Sequence, residues 1–300
     1  MSNAIETAVR PRAKKEPAEE TVSDHGEYSG VKPTPLPLAG RRPKPAASAL
    51  KDAAAGAAIP VLVIALWQIA VSAGLISLLF LPSPAAIMRT FAALALSEQL
   101  LHHLLVSMGR AALGFLIGGA SGLLLGIVTG LFRKAQYVLD PSIQVLRLVP
   151  HLAVAPLIIL WFGFGETSKI AIIVSGSFFP LYINTFLGIR NVDNKLFEVA
   201  KVLSFSPFRR LTRLVLPAAL PDILLGVRTS LAVSWIGLVV AELIGSQSGI
   251  GFLINEAKQN SETTVIFVGI IIFAVVGKLI DSLMRGLERR LLRWRDSYKG

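Results

Sequence analysis

The 300 residues contain no cysteine, which excludes disulfides, Cys-ligated zinc, iron–sulfur clusters and thiol nucleophiles. Charge is also scarce. Asp, Glu, Lys and Arg make up 16% of the chain, against about 25% in soluble domains. The patterns HExxH, GxSxG and GxxxxGK[ST] are missing, and so is any intramembrane pair of Asp residues placed to share a proton. The nearest approach to a phosphate loop, VVGKLI around Gly277, has Leu after Lys and lies in an apolar run. His151 has no second His or carboxylate at metal-ligand spacing. A membrane enzyme would therefore lack both a nucleophile and a metal cluster.

What the chain has in abundance is apolar sequence. Hydrophobic residues form 53% of it and the mean hydropathy is +0.63, which places it among integral membrane proteins. The net charge of +11 does not point to nucleic acid, because the basic residues flank apolar runs instead of gathering on a polar, aromatic-rich face. Residues 1–52, with KKEPAEE, VKPTPLPL and RRPKPAAS, are too polar and Pro-rich to bury a core and read as a disordered cytoplasmic tail. Arg41 and Arg42 invite a twin-arginine export reading, but no small-residue cleavage site follows them, and a positive-inside flank fits better.

Crossing the hydrocarbon takes roughly 20 apolar residues. Spans are expected near 53–76, 104–131, 145–163, 169–189, 222–245 and 264–285, giving about six transmembrane helices in an all-α, polytopic fold. The third is interrupted by Arg147, Pro150, His151 and Pro156. Residues 82–103 are expected to form an extracytoplasmic connection with an interfacial amphipathic helix. Lys and Arg cluster in the tail, the second–third and fourth–fifth connections, and a basic C-terminal tail over 289–300. Both termini and the long fourth–fifth connection are therefore expected to be cytoplasmic.

Within the spans, Gly114, Gly118, Gly122, Gly126 and Gly130 recur every four residues and predict a bare ridge for close helix packing. Arg110, His151, Arg228, Glu242, Lys278 and Asp281 are the ionisable candidates. Arg110, Arg228, Lys278 and Asp281 lie within about two turns of an expected span end, where long side chains snorkel. Lys278, Asp281 and Arg285 are spaced for a ladder of pairs on one helix face. Arg228 has a second reading, as a fixed cation in the path of an anionic substrate, and His151 and Glu242 are further candidates for a path or gate.

The fourth–fifth connection, FEVAKVLSFSPFRRLTRLVLPAAL from Phe197 to Leu220, is far longer than a loop requires. Asp193 can cap a first helix with Leu196, Ala200 and Leu203 on one face and Lys195, Glu198 and Lys201 on the other. Ser206 can cap a second, with Pro207 at its first position and Pro217 as its stop. The product is a helix–break–helix elbow whose break is Ser204-Phe205-Ser206. Taken alone, a solvated amphipathic connector would explain it equally well.

From Glu198 through Ala200 and Ser204 to Leu214-x-Leu216-Pro217 the segment resembles the EAA motif of ATP-binding-cassette importer permeases: Glu-Ala-Ala, three residues, Gly, nine residues, Ile-x-Leu-Pro. Val199 replaces the central Ala, Leu214 the Ile, and Ser204 the Gly. Ser204 is the departure that matters, since Gly permits positive φ at a tight turn, and it leaves the elbow geometry open. LPSP at 81–84, LLVSMGRAALGF at 104–115, WFGFGETSKI at 161–170, IRNVDNKLFEVA at 189–200, AELIGSQSGIGFLI at 241–254 and LERRLLRWR at 287–295 are similar to the nitrate/sulfonate/taurine branch of these permeases. VPHLAVAPL at 149–157 is most like aliphatic sulfonate permeases.

That resemblance implies a type I importer permease domain over 53–288, with a coupling helix within 190–221. Glu198, Ala200, Ser204, Leu216 and Pro217 would dock on a cytoplasmic ATP-binding-cassette ATPase subunit. This chain would bind no cofactor itself; ATP and Mg would sit on the ATPase. A second permease copy, most simply a homodimer, and an extracytoplasmic solute-binding protein complete the expected assembly in the bacterial inner membrane. Glu242 and Ser246 to Gly251 are expected to contact the binding protein or form an outer gate, with Gly249 and Gly251 allowing close backbone approach. Taurine, nitrate or another small solute is the alternative cargo. From other classes, an ion-driven secondary transporter would show inverted repeats with midplane carboxylates, and a scaffold would use the elbow without transport.

Overall fold

The computed structural model describes residues 46–294, whose regular elements are all helical. The expected tail falls outside the described residues up to position 45, and helix α1 (Ala46–Ser72) begins before the expected end of that tail. Among the described residues four helices are long and apolar enough to cross a membrane: α3 (Gln99–Leu131), α6 (Glu166–Arg190), the continuous helix Pro207–Gly245, and α11 (Thr263–Leu291). A bent pair of helices is apolar enough to supply a fifth crossing if it acts as one span. Helices α4 (Arg133–Arg147) and α5 (Ala155–Phe162) are joined through a 3-10 turn at His151–Val154 and meet at 81°.

The third expected span is thus not one helix. Pro150 and Pro156 explain why, since each removes a backbone donor and the residue before a proline avoids the α region. The first expected span corresponds to α1, whose apolar stretch Ala58–Ser72 is shorter than a full crossing. Helix α2 (Pro84–Leu96), capped by the Ser83 hydroxyl at the Ala86 amide, occupies the connection expected to hold an interfacial helix. It buries Ile87 against α11 in the largest apolar cluster.

Helix α6 packs along both α3 and α9 (Leu216–Gly245). The five-glycine ridge is what admits α3. A methyl group on Gly114 would lie 2.5 Å from Ile173 Cγ2. On Gly118 it would strike the Ser177 hydroxyl and the Val174 carbonyl; on Gly122, the Phe178 carbonyl; on Gly126, Thr185 Cβ at 2.8 Å; and on Gly130, Ile189 Cβ at 2.9 Å. The residues that fill the ridge, Ile173, Ser177, Thr185 and Ile189, face α3 from one side of α6. Hydroxyls add direction: Ser177 donates to Gly114 O at 3.2 Å and Ser230 to Ser177 O at 2.5 Å, linking α3, α6 and α9. Such bonds average about 0.6 kcal/mol in membranes, so close packing dominates the interface.

Helix α11 runs antiparallel to α9. Trp235 donates to Phe273 O at 3.0 Å, while Arg228, earlier in α9, reaches Asp281, later in α11. The C-terminal end of α11, the ends of α3 and α6 and the start of the Pro207–Gly245 helix therefore share one end of the bundle, where the elbow also lies. Leu131, Ile189, Val192, Phe197, Val215 and Ala219 pack together there.

Candidate functional site

At the elbow, helix α7 (Asn194–Val202) starts where the Asp193 carboxylate accepts the Lys195 amide at 2.9 Å. It ends in a Schellman turn. The Ser204 amide donates to Lys201 O at 3.0 Å and the Phe205 amide to Ala200 O at 2.9 Å, with Ser204 at φ +50°. Serine therefore occupies the left-handed conformation that the motif's glycine would supply, and the elbow closes in spite of the replacement. The next helix starts at Ser206, whose hydroxyl accepts the Arg209 amide, with Pro207 in its first turn.

Pro217 does not stop that helix. A π turn over Leu211–Val215 intervenes, and the Leu216 amide bonds back to Leu211 O. The shift in register leaves Pro217 at the start of α9, where a missing amide hydrogen costs little. Helix then continues unbroken from Pro207 to Gly245.

Of the first elbow helix only Ala200 is fully buried. Leu196, Val199, Val202 and Leu203 are exposed, Val202 to 85% and Leu203 to 58%. Glu198 is exposed beside them. The elbow thus presents an apolar surface, ringed by Lys195, Glu198 and Lys201, that this chain does not cover.

The opposite end holds a charge network in which Arg110, Lys169 and Glu242 are buried and Glu166 reaches the surface. Arg110, on α3, is only 4% exposed and does not snorkel; in a helix that begins at Gln99 it lies well inside the bundle. Its Nε and Nη2 donate to the two oxygens of Glu166 at 2.6 Å each, and Nη1 donates to Glu242 Oε1 at 2.8 Å and to Ser248 O at 2.6 Å. Glu242 has no side-chain exposure. It also accepts from the Ser107 hydroxyl at 2.8 Å and the Gly251 amide at 2.9 Å. Lys169 binds Glu166 at 2.9 Å.

Two cations and two carboxylates make the network neutral. Each charge has hydrogen-bonded partners, the condition for keeping ions out of water. Gly249, at φ +110°, and Gly251 turn the following loop so closely over Glu242 that a methyl group on either would collide with its side chain. The close approach these glycines make is to Glu242, which lies beneath the loop and not on its surface. Sequence reasoning passed over Glu166 and Ser107; the available signal was an acidic residue at the first position of α6, after a Gly-rich turn.

Arg228 is paired as well. It donates to Asp281 Oδ1 at 2.8 Å, and Arg285 reaches the other Asp281 oxygen at 2.7 Å. Of the expected ladder the Asp281–Arg285 pair is present, and Arg228 joins it from α9. His151 lies against α6: a methyl group on Gly176 would meet its Cδ2 at 3.2 Å and its Nε2 at 3.3 Å.

Residues 122–293 match the family described as the binding-protein-dependent transport system inner membrane component. The chain belongs to this family. It is 57% identical over 245 residues to the protein designated aliphatic sulfonates transport permease SsuC of Bacillus subtilis (strain 168), covering 82% of this chain and 89% of that one. To SsuC of Escherichia coli (strain K12) it is 46% identical over 240 residues, 80% of this chain and 91% of that one. To the taurine transport system permease TauC of the same organism it is 36% identical over 233 residues, 76% and 85% of the two chains.

Among solved structures, an inward-facing form of the MetNI methionine ABC transporter superposes with a TM-score of 0.57 at 15% identity. The match covers 66% of this chain and 98% of that one. A likeness at this identity speaks for the fold, which is that of an importer permease. The chain is a multi-pass inner-membrane permease subunit.

Proposed function

We propose that this permease moves aliphatic sulfonates into the cytoplasm in an ATP-driven importer. The observation that carries the reading is the identity to two permeases designated for aliphatic sulfonates, higher than to the taurine permease. Taurine is itself a small sulfonate and remains the second reading.

In this reading the elbow end faces the cytoplasm, as the Lys and Arg gathered there favour, and both termini lie on that side. Ser204 sets the turn, Glu198 and Ala200 precede it and Leu216 and Pro217 follow it. Together they form the element that docks on a separate ATPase subunit, which holds ATP and Mg. The exposed apolar residues of the elbow supply the docking surface. At the far end, the Arg110–Glu242 network fixes the loop Ser246–Gly251 as part of an outer gate beneath a solute-binding protein. Two copies of the chain enclose the path.

The test is ATP hydrolysis and solute uptake in proteoliposomes holding this chain and its ATPase, with binding protein loaded with an alkanesulfonate, taurine or nitrate, or left empty. Stimulation and accumulation with the alkanesulfonate are expected. Stimulation by another loaded form alone would overturn the substrate, and failure of any ATPase to assemble would overturn the importer reading.

A further inference from the structure

The broken span raises a question that a straight one would not. Helix α4 is amphipathic, and its polar residues lie against the elbow half of α6: Gln136 accepts from Arg190 at 2.6 Å and Asp140 from Tyr182 at 2.8 Å. At its last residue stands Arg147, an exposed cation that has no hydrogen-bond or ion-pair partner among the described residues. Ionisable residues within membrane segments face bundle interiors or water-filled cavities. Beside Arg147 is a cavity of about 260 Å³, lined by Arg147, His151, Ser175, Phe179, Pro180 and Val233 among others.

Gly176 and Val233, near the middles of α6 and α9, place the cavity far from either end of the bundle. His151 lines the cavity, and its Nε2 is buried with no hydrogen-bond partner among the described residues. A buried polar atom without a partner is rare and costs free energy unless something arrives to satisfy it. Gly176 makes room for that imidazole, since a side chain there would press on Cδ2 and Nε2.

We infer that this cavity is a transient binding site for the substrate's anionic headgroup, a three-oxygen sulfonate. The Arg147 guanidinium donates to its oxygens, the His151 imidazole turns from Gly176 to donate as well, and Phe179, Pro180 and Val233 receive the short alkyl tail. A guanidinium offers paired N–H donors to such oxyanions, and a neutral imidazole can donate from Nε2. The modest volume suits a small solute. The larger cavity beside Arg228, about 480 Å³, is a poorer anion site because Asp281 already neutralises that arginine at 2.8 Å. The inference rests on the sulfonate reading for its ligand, but its test does not need transport.

Full-length protein labelled with ¹⁵N-histidine is placed in nanodiscs and titrated with butanesulfonate, with butylammonium as the control. The resonance of His151, assigned by its loss in His151→Gln, is followed. A saturable shift with the sulfonate and none with the ammonium is expected. Arg147→Gln, at an exposed position, should weaken the sulfonate by about 10- to 100-fold, the range for a hydrogen bond to a charged group. The site is overturned if no saturable shift occurs up to about 100 mM, where binding free energy is negligible, or if Arg147→Gln leaves the affinity unchanged. Sulfonate uptake without the shift would sink this site and leave the importer reading standing; the shift without uptake would do the reverse.

Discussion

Arg110 and Glu242 are 132 positions apart in sequence and meet at 2.8 Å in a site where the carboxylate is sealed from solvent. Removing Arg110 leaves the Glu242 carboxylate buried without its cation, which costs about 3–5 kcal/mol, whereas removing Glu242 costs less because Arg110 keeps its two bonds to Glu166. Arg110→Leu should lower the thermal unfolding temperature of the purified permease markedly, and Glu242→Leu should lower it less. The double variant Arg110→Leu/Glu242→Leu should recover part of the loss, because Lys169 still neutralises Glu166. A double variant no more stable than the worse single one would show that the pair is not coupled.

Ser204 predicts an effect of opposite sign. A non-glycine residue in the left-handed region costs roughly 1–2 kcal/mol, and φ +50° places serine there. Ser204→Gly should therefore keep the elbow and stabilise it by up to about 1 kcal/mol, after the added unfolded-state entropy of glycine is allowed for. Ser204→Val should destabilise it, since a β-branched side chain resists this conformation most strongly. Slower amide exchange at Phe205 in Ser204→Gly, and faster in Ser204→Val, would be the readout.

The elbow was readable because its signals are local. Asp193, Ser206 and Pro207 announce helix starts by type and spacing, and the structure has those starts. The same local logic misplaced Pro217, because a π turn five residues long shifts the hydrogen-bond register in a way no residue pattern announces. The charge network was hidden for a different reason. Arg110 reads as a snorkelling residue until α6 and α9 bring Glu166 and Glu242 against it, across separations of 56 and 132 residues. The bend at Pro150 lies between: the prolines flagged an interruption, but its 81° angle depends on packing against α6.

The glycine ridge can be tested by position. Gly118→Ala places a methyl group 2.5 Å from the Val174 carbonyl oxygen, whereas Gly109→Ala, on the same helix, meets nothing within 4 Å. Backbone cannot yield as a side chain end can, so Gly118→Ala should separate α3 from α6 and cost about 1–3 kcal/mol, the usual range for overpacking. Gly109→Ala should be neutral or stabilising by up to about 1 kcal/mol, from helix propensity alone. Denaturation of both variants in the same detergent is the measurement, and equal effects would remove the ridge from the account of how α3 packs.

Glu198 separates docking from folding. It is exposed on a helix whose exposed apolar residues have no cover in this chain, so Glu198→Lys should leave the permease's unfolding temperature within the small range of ordinary surface changes, about 0.5 kcal/mol. At a docking interface the same reversal places a like or unpaired charge against the partner, which costs several kcal/mol. ATPase subunits should therefore dissociate more readily from Glu198→Lys, with substrate-stimulated hydrolysis falling at least tenfold, a change of about 1.4 kcal/mol. Unchanged stimulation in a stably inserted variant would mean that the elbow's first helix makes no energetic contact with the ATPase. Its exposed apolar face would then need another partner.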